Sequence, residues 1–188
     1  IWGSALITIL LSRVFSYIGW FDHSLINRKE TYLAIFTLIS VALLGMVDDL
    51  FNIKGWGRSK GLNIKPKFFW LVMFALAGAL WFHFKLGYDQ IHIPGVGDFM
   101  IGAWYIPLFM FIIAGSANAV NITDGLDGLS GGLIVIAFGA YAGIAYAHGL
   151  FILAAFCAVI AGSSLAFLWF NIAPARFYMG DTGSISLG

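Results

Sequence analysis

Long apolar stretches alternate with short polar connections along the whole chain. A membrane-spanning helix needs about 20 mostly apolar residues. Six stretches meet that description: 2–21, 31–47, 68–86, 100–117, 129–147 and 150–170. Little chain is left over, and none of it reads as a soluble domain, a long linker or a fixed-period repeat. The pattern predicts an all-α, polytopic integral membrane protein with about six transmembrane helices, forming one domain over residues 1–188. The first stretch is interrupted by Arg13 and lacks a small-residue cleavage pattern, so it does not read as a signal peptide. The chain starts inside an apolar stretch, and Gly183–Gly188 reads as entry into another helix. It is therefore expected to be a piece of a longer protein.

Composition sharpens this picture. Hydrophobic residues make up 61% of the 188 residues and charged residues 10%, against about 25% charged in soluble domains. That balance excludes a nucleic-acid binder, a disordered chain and a disulfide scaffold. Aromatic residues reach 17%, as suits many membrane interfaces. The single cysteine, Cys157, lies in an apolar run and has no internal disulfide partner.

The net charge of +1 says nothing about partners, but the placement of charge does. Segment 51–67 holds Lys54, Arg58, Lys60, Lys65 and Lys67 and no acidic residue. The positive-inside rule places it in the cytoplasm. Alternation then puts 48–67, 118–128 and 171–188 on the cytoplasmic side, and 22–30, 87–99 and 147–150 outside. Loop 87–99 has no Lys or Arg. In 22–30, Arg28 and Lys29 are offset by Asp22 and Glu30.

Five of the nine acidic residues fall in the three cytoplasmic segments: Asp48, Asp49, Asp124, Asp127 and Asp181. The sidedness was assigned from Lys and Arg alone, so this clustering is independent of it. Charges at span ends are costly unless paired or wet. Asp48-Asp49 closes the second predicted span, where adjacent carboxylates repel and a cation or lysine would relieve them. A merely solvated helix end accounts for this poorly, because helix C-termini disfavour Asp. The run Asn118-Ala-Val-Asn121-Ile-Thr-Asp124-Gly-Leu-Asp127-Gly128 repeats a polar residue every third position. That spacing keeps the polar side chains on one side of a helical or 3₁₀ turn. It is expected to aim all four into one cavity. Pro174 stops the sixth helix. Gly180 and Gly183 then flank Asp181-Thr182, a carboxylate at the start of another helix. Asp181 and Ser184 also suit plain N-caps.

The basic segment faces these acids, an arrangement suited to phosphates, although topology alone also places lysines there. Clustered short carboxylates beside a phosphate cradle favour Mg²⁺, a hard ion held by one or two carboxylates plus substrate phosphates. The four histidines, His23, His83, His92 and His148, all fall toward the outer side. A zinc site among the acids is not expected.

Together the motifs Gly45-Met-Val-Asp48-Asp49, Asn118 through Leu129, and Phe167-Leu-Trp-Phe-Asn171 through Pro174 to Met179-Gly180-Asp181-Thr-Gly183-Ser184 resemble the polyprenyl-phosphate N-acetylhexosamine-1-phosphate transferase family. Within it they are most similar to the bacterial phospho-N-acetylmuramoyl-pentapeptide transferase branch. Thr123 before Asp124 is the feature that favours this branch over the GlcNAc-phosphate branch. The resemblance implies transfer of phospho-N-acetylmuramoyl-pentapeptide from its UDP conjugate to undecaprenyl phosphate, giving lipid I and UMP for peptidoglycan synthesis. It implies a multi-pass protein of the bacterial cytoplasmic membrane with a cytoplasm-facing site, a Mg²⁺ cofactor and a homodimer.

By the same resemblance, Asp48, Asp49 and Asp181 are the catalytic acids. Asp181 binds the metal, Asp49 supports the metal and phosphates, and Asp48 is the proposed base on the lipid phosphate. Asn118, Asn121 and Asp124 line the nucleotide site. Gly125, Leu126 and Asp127 hold the uracil, and Tyr178 stacks on it. Two lysines complete the set. Lys67 matches a family lysine, and Lys54 stands two residues past Asn52, where the family often has one. The family's early lysine motif and late histidine-rich motif are not in this sequence, so the piece alone is expected to be inactive. Two rivals fare worse. An intramembrane aspartyl protease needs Gly-x-Gly-Asp, and Tyr178-Met-Gly-Asp181 lacks the first Gly. An ion-coupled transporter places its carboxylates at broken helices in mid-membrane.

Overall fold

The computed structural model describes residues 1–20, 29–54 and 64–188. Within them lie seven α-helices: α1 (Trp2–Tyr17), α2 (Lys29–Lys54), α3 (Ile64–Leu80), α4 (Tyr105–Thr123), α5 (Leu129–Ala147), α6 (Phe151–Asn171) and α7 (Gly180–Leu187). Between α3 and α4 come a single π turn (Trp81–Lys85), a two-stranded hairpin of β1 (Gln90–Ile93) and β2 (Gly97–Met100), and a 3₁₀ turn (Gly102–Trp104). Arg58, Lys60, Asp22, His23 and Arg28 lie outside the described residues.

Four helices are long and apolar enough to cross a membrane among the described residues: Lys67–Lys85, Gly102–Thr123, Leu129–Ala147 and Phe151–Asn171. They correspond to the third through sixth predicted stretches, and α5 has the predicted bounds 129–147. A shorter apolar helix, Gly3–Tyr17, covers most of the first. Phe111, Ile136, Phe151 and Leu165 on these helices are each more than half exposed. Such an apolar outer surface suits lipid rather than water. The chain is an all-α, polytopic membrane protein.

Three boundaries differ from the sequence reading. Helix α2 does not end at 47 but runs on through Asp48-Asp49 to Lys54, and α4 does not end at 117 but continues to Thr123. Apolar length measures the membrane, whereas a helix stops where its backbone meets a breaker. For α4 that breaker is Gly125, just beyond the observed end. The third difference is the hairpin in 87–99, which the sequence reading left as an open loop. Its turn closes with a Val96 N–H to Ile93 O bond of 3.0 Å. Pro94 and Gly95, the latter at φ +83°, fill the central positions, as a type II turn requires.

Helices α5 and α6 pack as an antiparallel pair across the His148–Leu150 turn, α3 packs on α4, and α7 lies between α2 and α4. The main core joins Ala5 and Ile9 of α1, Leu38 of α2, Ile134 of α5 and Phe156, Cys157 and Ile160 of α6. A second cluster joins Val41, Leu71, Ala117 and Ile185 from four different helices. Each stands four residues, about one turn, from Gly45, Lys67, Asn121 and Asp181 respectively. The second cluster is thus the apolar floor on which the polar residues rest. It borders an apolar cavity of about 380 Å³ that runs away from them toward Phe82 and Phe109.

Candidate active site

Four helices meet above that floor. Lys67, in the first turns of α3, places its ammonium between two carboxylates. It is hydrogen-bonded to Asp181 of α7 and lies 3.5 Å from Asp48 of α2. The Asn121 amide of α4 donates to Asp181 Oδ1 at 2.6 Å and to Ser184 Oγ at 2.9 Å. A carboxylate accepts only, so this pairing fixes which end of the amide faces Asp181. Ser184 is fully buried, and its hydroxyl donates a hydrogen bond to Gly180 O at 2.9 Å.

Asp49 faces α7 instead. Its Oδ1 accepts the Asp181 N–H at 3.2 Å, and its Oδ2 accepts the Thr182 N–H at 3.1 Å and the Thr182 hydroxyl at 2.6 Å. The two helices touch backbone to backbone here. A Cβ on Gly45 would lie 2.6 Å from the Asp181 carbonyl and from Thr182 Cα.

Burial is the largest influence on the Asp181 carboxyl and pushes it upward. Hydrogen bonds with Asp48, Lys67 and Asn121 and the Lys67 charge together outweigh it, holding Asp181 below the usual carboxylate value. Asp124 goes the other way. Burial raises it, hydrogen bonds from Ser130 and Gly180 oppose this, and the charges of Asp181 and Asp49 raise it further. Asp124 Oδ1 accepts the Ser130 hydroxyl at 2.6 Å.

Beside the cluster, two loops are tied into one shelf. Asn171, buried at the end of α6, accepts the Gly128 N–H at 3.0 Å and donates to Phe177 O at 2.8 Å. Asp127 Oδ2 accepts the Ala175 N–H at 3.0 Å. On this shelf Leu126 and Tyr178 are both 68% exposed, and Gly125 is exposed too.

The structure therefore brings Asp48, Asp49, Lys67, Asn121, Asp124 and Asp181 together, and places Gly125, Leu126, Asp127 and Tyr178 alongside. The expectation that Asn118, Asn121, Asp124 and Asp127 share one cavity does not hold as drawn. Asn118 is exposed on α4 and makes no hydrogen bond to the cluster among the described residues. Asp127 is engaged with the neighbouring loop. Asn118 and Asn121 are only about 60° apart around α4, but Asn118 stands about 4.5 Å earlier along its axis, and Asp127 lies beyond the turn that ends α4, so neither shares Asn121's position beside Asp181. Lys54 is exposed at the end of α2. Sequence reasoning passed over Thr182, Ser130 and Gly45 as site residues. Thr182 and Gly45 sit within its quoted motifs, whereas Ser130 carries no local signal. The described histidines are remote. His83 contacts Tyr88 O at 3.1 Å, His92 pairs with Asp98 at 2.7 Å, and His148 ends α5.

The donor set bears on a metal. Asp48 and Asp181 already converge on one cation, the Lys67 ammonium. Among the described residues no three His, Cys, Asp or Glu side chains form a metal-holding group. The oxygen donors of Asp48 and Asp181 would suit an ion that takes one or two carboxylates and completes its shell with water and phosphate, as Mg²⁺ does.

Comparison with known proteins bears on the family. The chain is 39% identical over 186 residues to a phospho-N-acetylmuramoyl-pentapeptide-transferase of Geobacillus sp. (strain WCH70), covering 96% of this chain and 53% of that protein. It is 38% identical over 183 residues to the protein of that name from Geobacillus thermodenitrificans, covering 97% and 56%. It is 37% identical over 187 residues to that of Lactiplantibacillus plantarum, covering 99% and 57%. The chain thus spans about half the length of the curated relatives it matches. Residues 31–188, which hold every residue of the cluster, match the family model described as glycosyl transferase family 4, and the chain belongs to that family.

Proposed function

We propose that this chain carries the catalytic face of a Mg²⁺-dependent phospho-N-acetylmuramoyl-pentapeptide transferase of peptidoglycan synthesis. The observation that carries the reading is the convergence of Asp48 and Asp181 from two helices on the Lys67 ammonium of a third, with Asn121 of a fourth holding Asp181. The names of the relatives supply the transferred group, phospho-N-acetylmuramoyl-pentapeptide, and the motif resemblance supplies the donor and acceptor. The donor is UDP-N-acetylmuramoyl-pentapeptide and the acceptor undecaprenyl phosphate, reached through the bilayer. In this reading the chain contributes about six spans to one domain in the bacterial cytoplasmic membrane, with the cluster facing the cytoplasm.

An oxygen of the lipid phosphate attacks the β-phosphorus of the donor. The bond from that phosphorus to the bridging oxygen breaks, and UMP leaves with the electron pair. Such transfers depend on positioning and charge neutralisation. Asp181 and Asp48 would hold Mg²⁺, which supplies charge neutralisation on the diphosphate. Lys67 then turns its ammonium to phosphate oxygens. Asn121 holds Asp181 in orientation. Asp48 orders the site and need not act as a strong base, because a phosphate monoester is largely ionised at pH 7. The uridine lies on the shelf of Gly125, Leu126 and Asp127, with the exposed Tyr178 ring against the base.

The test is UMP release by membranes carrying the full-length protein, given undecaprenyl phosphate and either UDP-N-acetylmuramoyl-pentapeptide or UDP-GlcNAc, with Mg²⁺ or EDTA. Mg²⁺-dependent UMP from the muramyl donor alone supports the proposal. UMP from UDP-GlcNAc alone moves the protein to the sister branch. No UMP from either, in folded protein, overturns the catalytic reading.

A further inference from the structure

Asp48 and Asp49 are neighbours, yet their surroundings differ completely. Adjacent residues on an α-helix point about 100° apart. Asp48 thereby meets Lys67, and Asp49 meets the first turn of α7. The first four N–H groups of any helix have no intrahelical partner. Helix α7 has no side-chain cap of its own, since its N-cap position is Met179. Asp49, 132 residues away in sequence, supplies that cap from another helix. Three donors fill three of about four acceptor sites on the carboxylate, and its negative charge faces the positive end of the helix dipole. Contact is enforced from both sides. Gly45 admits the α7 backbone with no room for a Cβ. Gly180, at φ +63°, would carry a Cβ only 2.9 Å from Asp49 Oδ2.

We infer that Asp49 is a positioning residue: it clasps the Asp181 and Thr182 amides and so sets where the Asp181 carboxylate stands relative to Asp48 and Lys67. This rests on the transferase reading for its catalytic consequence, but not for its structural one. As a metal ligand, Asp49 would depend on its negative charge and on the one acceptor site left on Oδ1. As a clasp, it needs only acceptor oxygens, which Asn also provides.

The experiment is amide hydrogen exchange with residue-level fragmentation on full-length protein in nanodiscs, without nucleotide or metal. Wild type is compared with Asp49→Ala, Asp49→Asn and Thr182→Val. Loss of the cap in Asp49→Ala is expected to speed exchange at Asp181 and Thr182 by about tenfold, while Asp49→Asn stays within about threefold of wild type. Thr182→Val loses one of three bonds and falls between them. If Asp49→Ala fails to fold, the Thr182→Val and Asp49→Asn comparison carries the test. A parallel titration of UMP release should leave the half-saturating Mg²⁺ concentration of Asp49→Asn within about threefold of wild type. Wild-type exchange in Asp49→Ala, or Asn as fast as Ala, overturns the clasp. So does unchanged exchange in Thr182→Val where Asp49→Ala does not fold. Because exchange is read without turnover, failure of the reaction reading shows separately, as absent UMP with the clasp intact.

Discussion

The two ends of the helix bundle use similar charged residues in opposite ways. At the hairpin end, His92 and Asp98 pair across the hairpin at 2.7 Å, six residues apart, with side chains 68% and 62% exposed. At the opposite end, Lys67 joins Asp181 across 114 residues, Asn121 joins Asp181 across 60, and Asp49 joins Thr182 across 133. These side chains are largely shielded: Lys67 is 24% exposed, Asp181 23% and Asp48 11%. An exposed local pair costs little to form and contributes little. A sheltered cluster built from four helices is costly to break, because each charge removed strands another. Charge alone therefore does not mark the working end of this molecule. Long-range pairing under shelter does.

Variants at each end can sharpen or break that contrast. Asp181→Asn should have the largest effect, lowering UMP release by about 10³-fold, since it removes charge at the point where phosphate is neutralised. Retained activity would break the contrast outright. Lys67→Met leaves Asp48 and Asp181 without their shared cation. It should cost about 10²-fold in rate. Added Mg²⁺ should then raise its melting temperature more than it raises that of wild type, read by scanning fluorimetry. Asn171→Ala strands the Gly128 N–H and Phe177 carbonyl and should cost about 2 kcal/mol, seen as a lowered melting temperature. His92→Ala should change stability by less than about 1 kcal/mol and leave UMP release unchanged. A large loss there would erase the distinction between the ends.

The sequence reading captured the fold where composition decides it. Apolar runs locate α5 and α6 almost to the residue, because their ends coincide with Gly128, Gly149 and the segment before Pro174. It misjudged α2 and α4, where helix continues past the apolar run and carries Asp48 and Asn121 on its last turns. The hairpin was legible in principle: Ile91 and Ile93 alternate with polar residues before Pro94-Gly95. Within an otherwise helical chain that short signal is easily passed over. For the site, the clustering of Asp48, Asp49, Asp124 and Asp181 followed from charge placement alone. Which oxygen meets which donor did not. Thr182, Ser130 and the close approach at Gly45 depend on how α2 crosses α7, and no local pattern encodes a crossing.

The continuation of α4 past the membrane-length run has a mechanical meaning. Tyr105, packed at a tilt against Phe109 near the hairpin, and Asn121, holding Asp181 at the carboxylate cluster, stand on one unbroken helix. Sixteen residues of α-helix span about 24 Å, so a tilt of about 5° around Tyr105 displaces Asn121 by about 2 Å. That is enough to part its amide from Asp181. Spanning helices tilt to match the thickness of the bilayer around them. A change in bilayer thickness that tilts α4 against α7 is thus expected to be read at the Asn121–Asp181 contact, at the far end of the same helix.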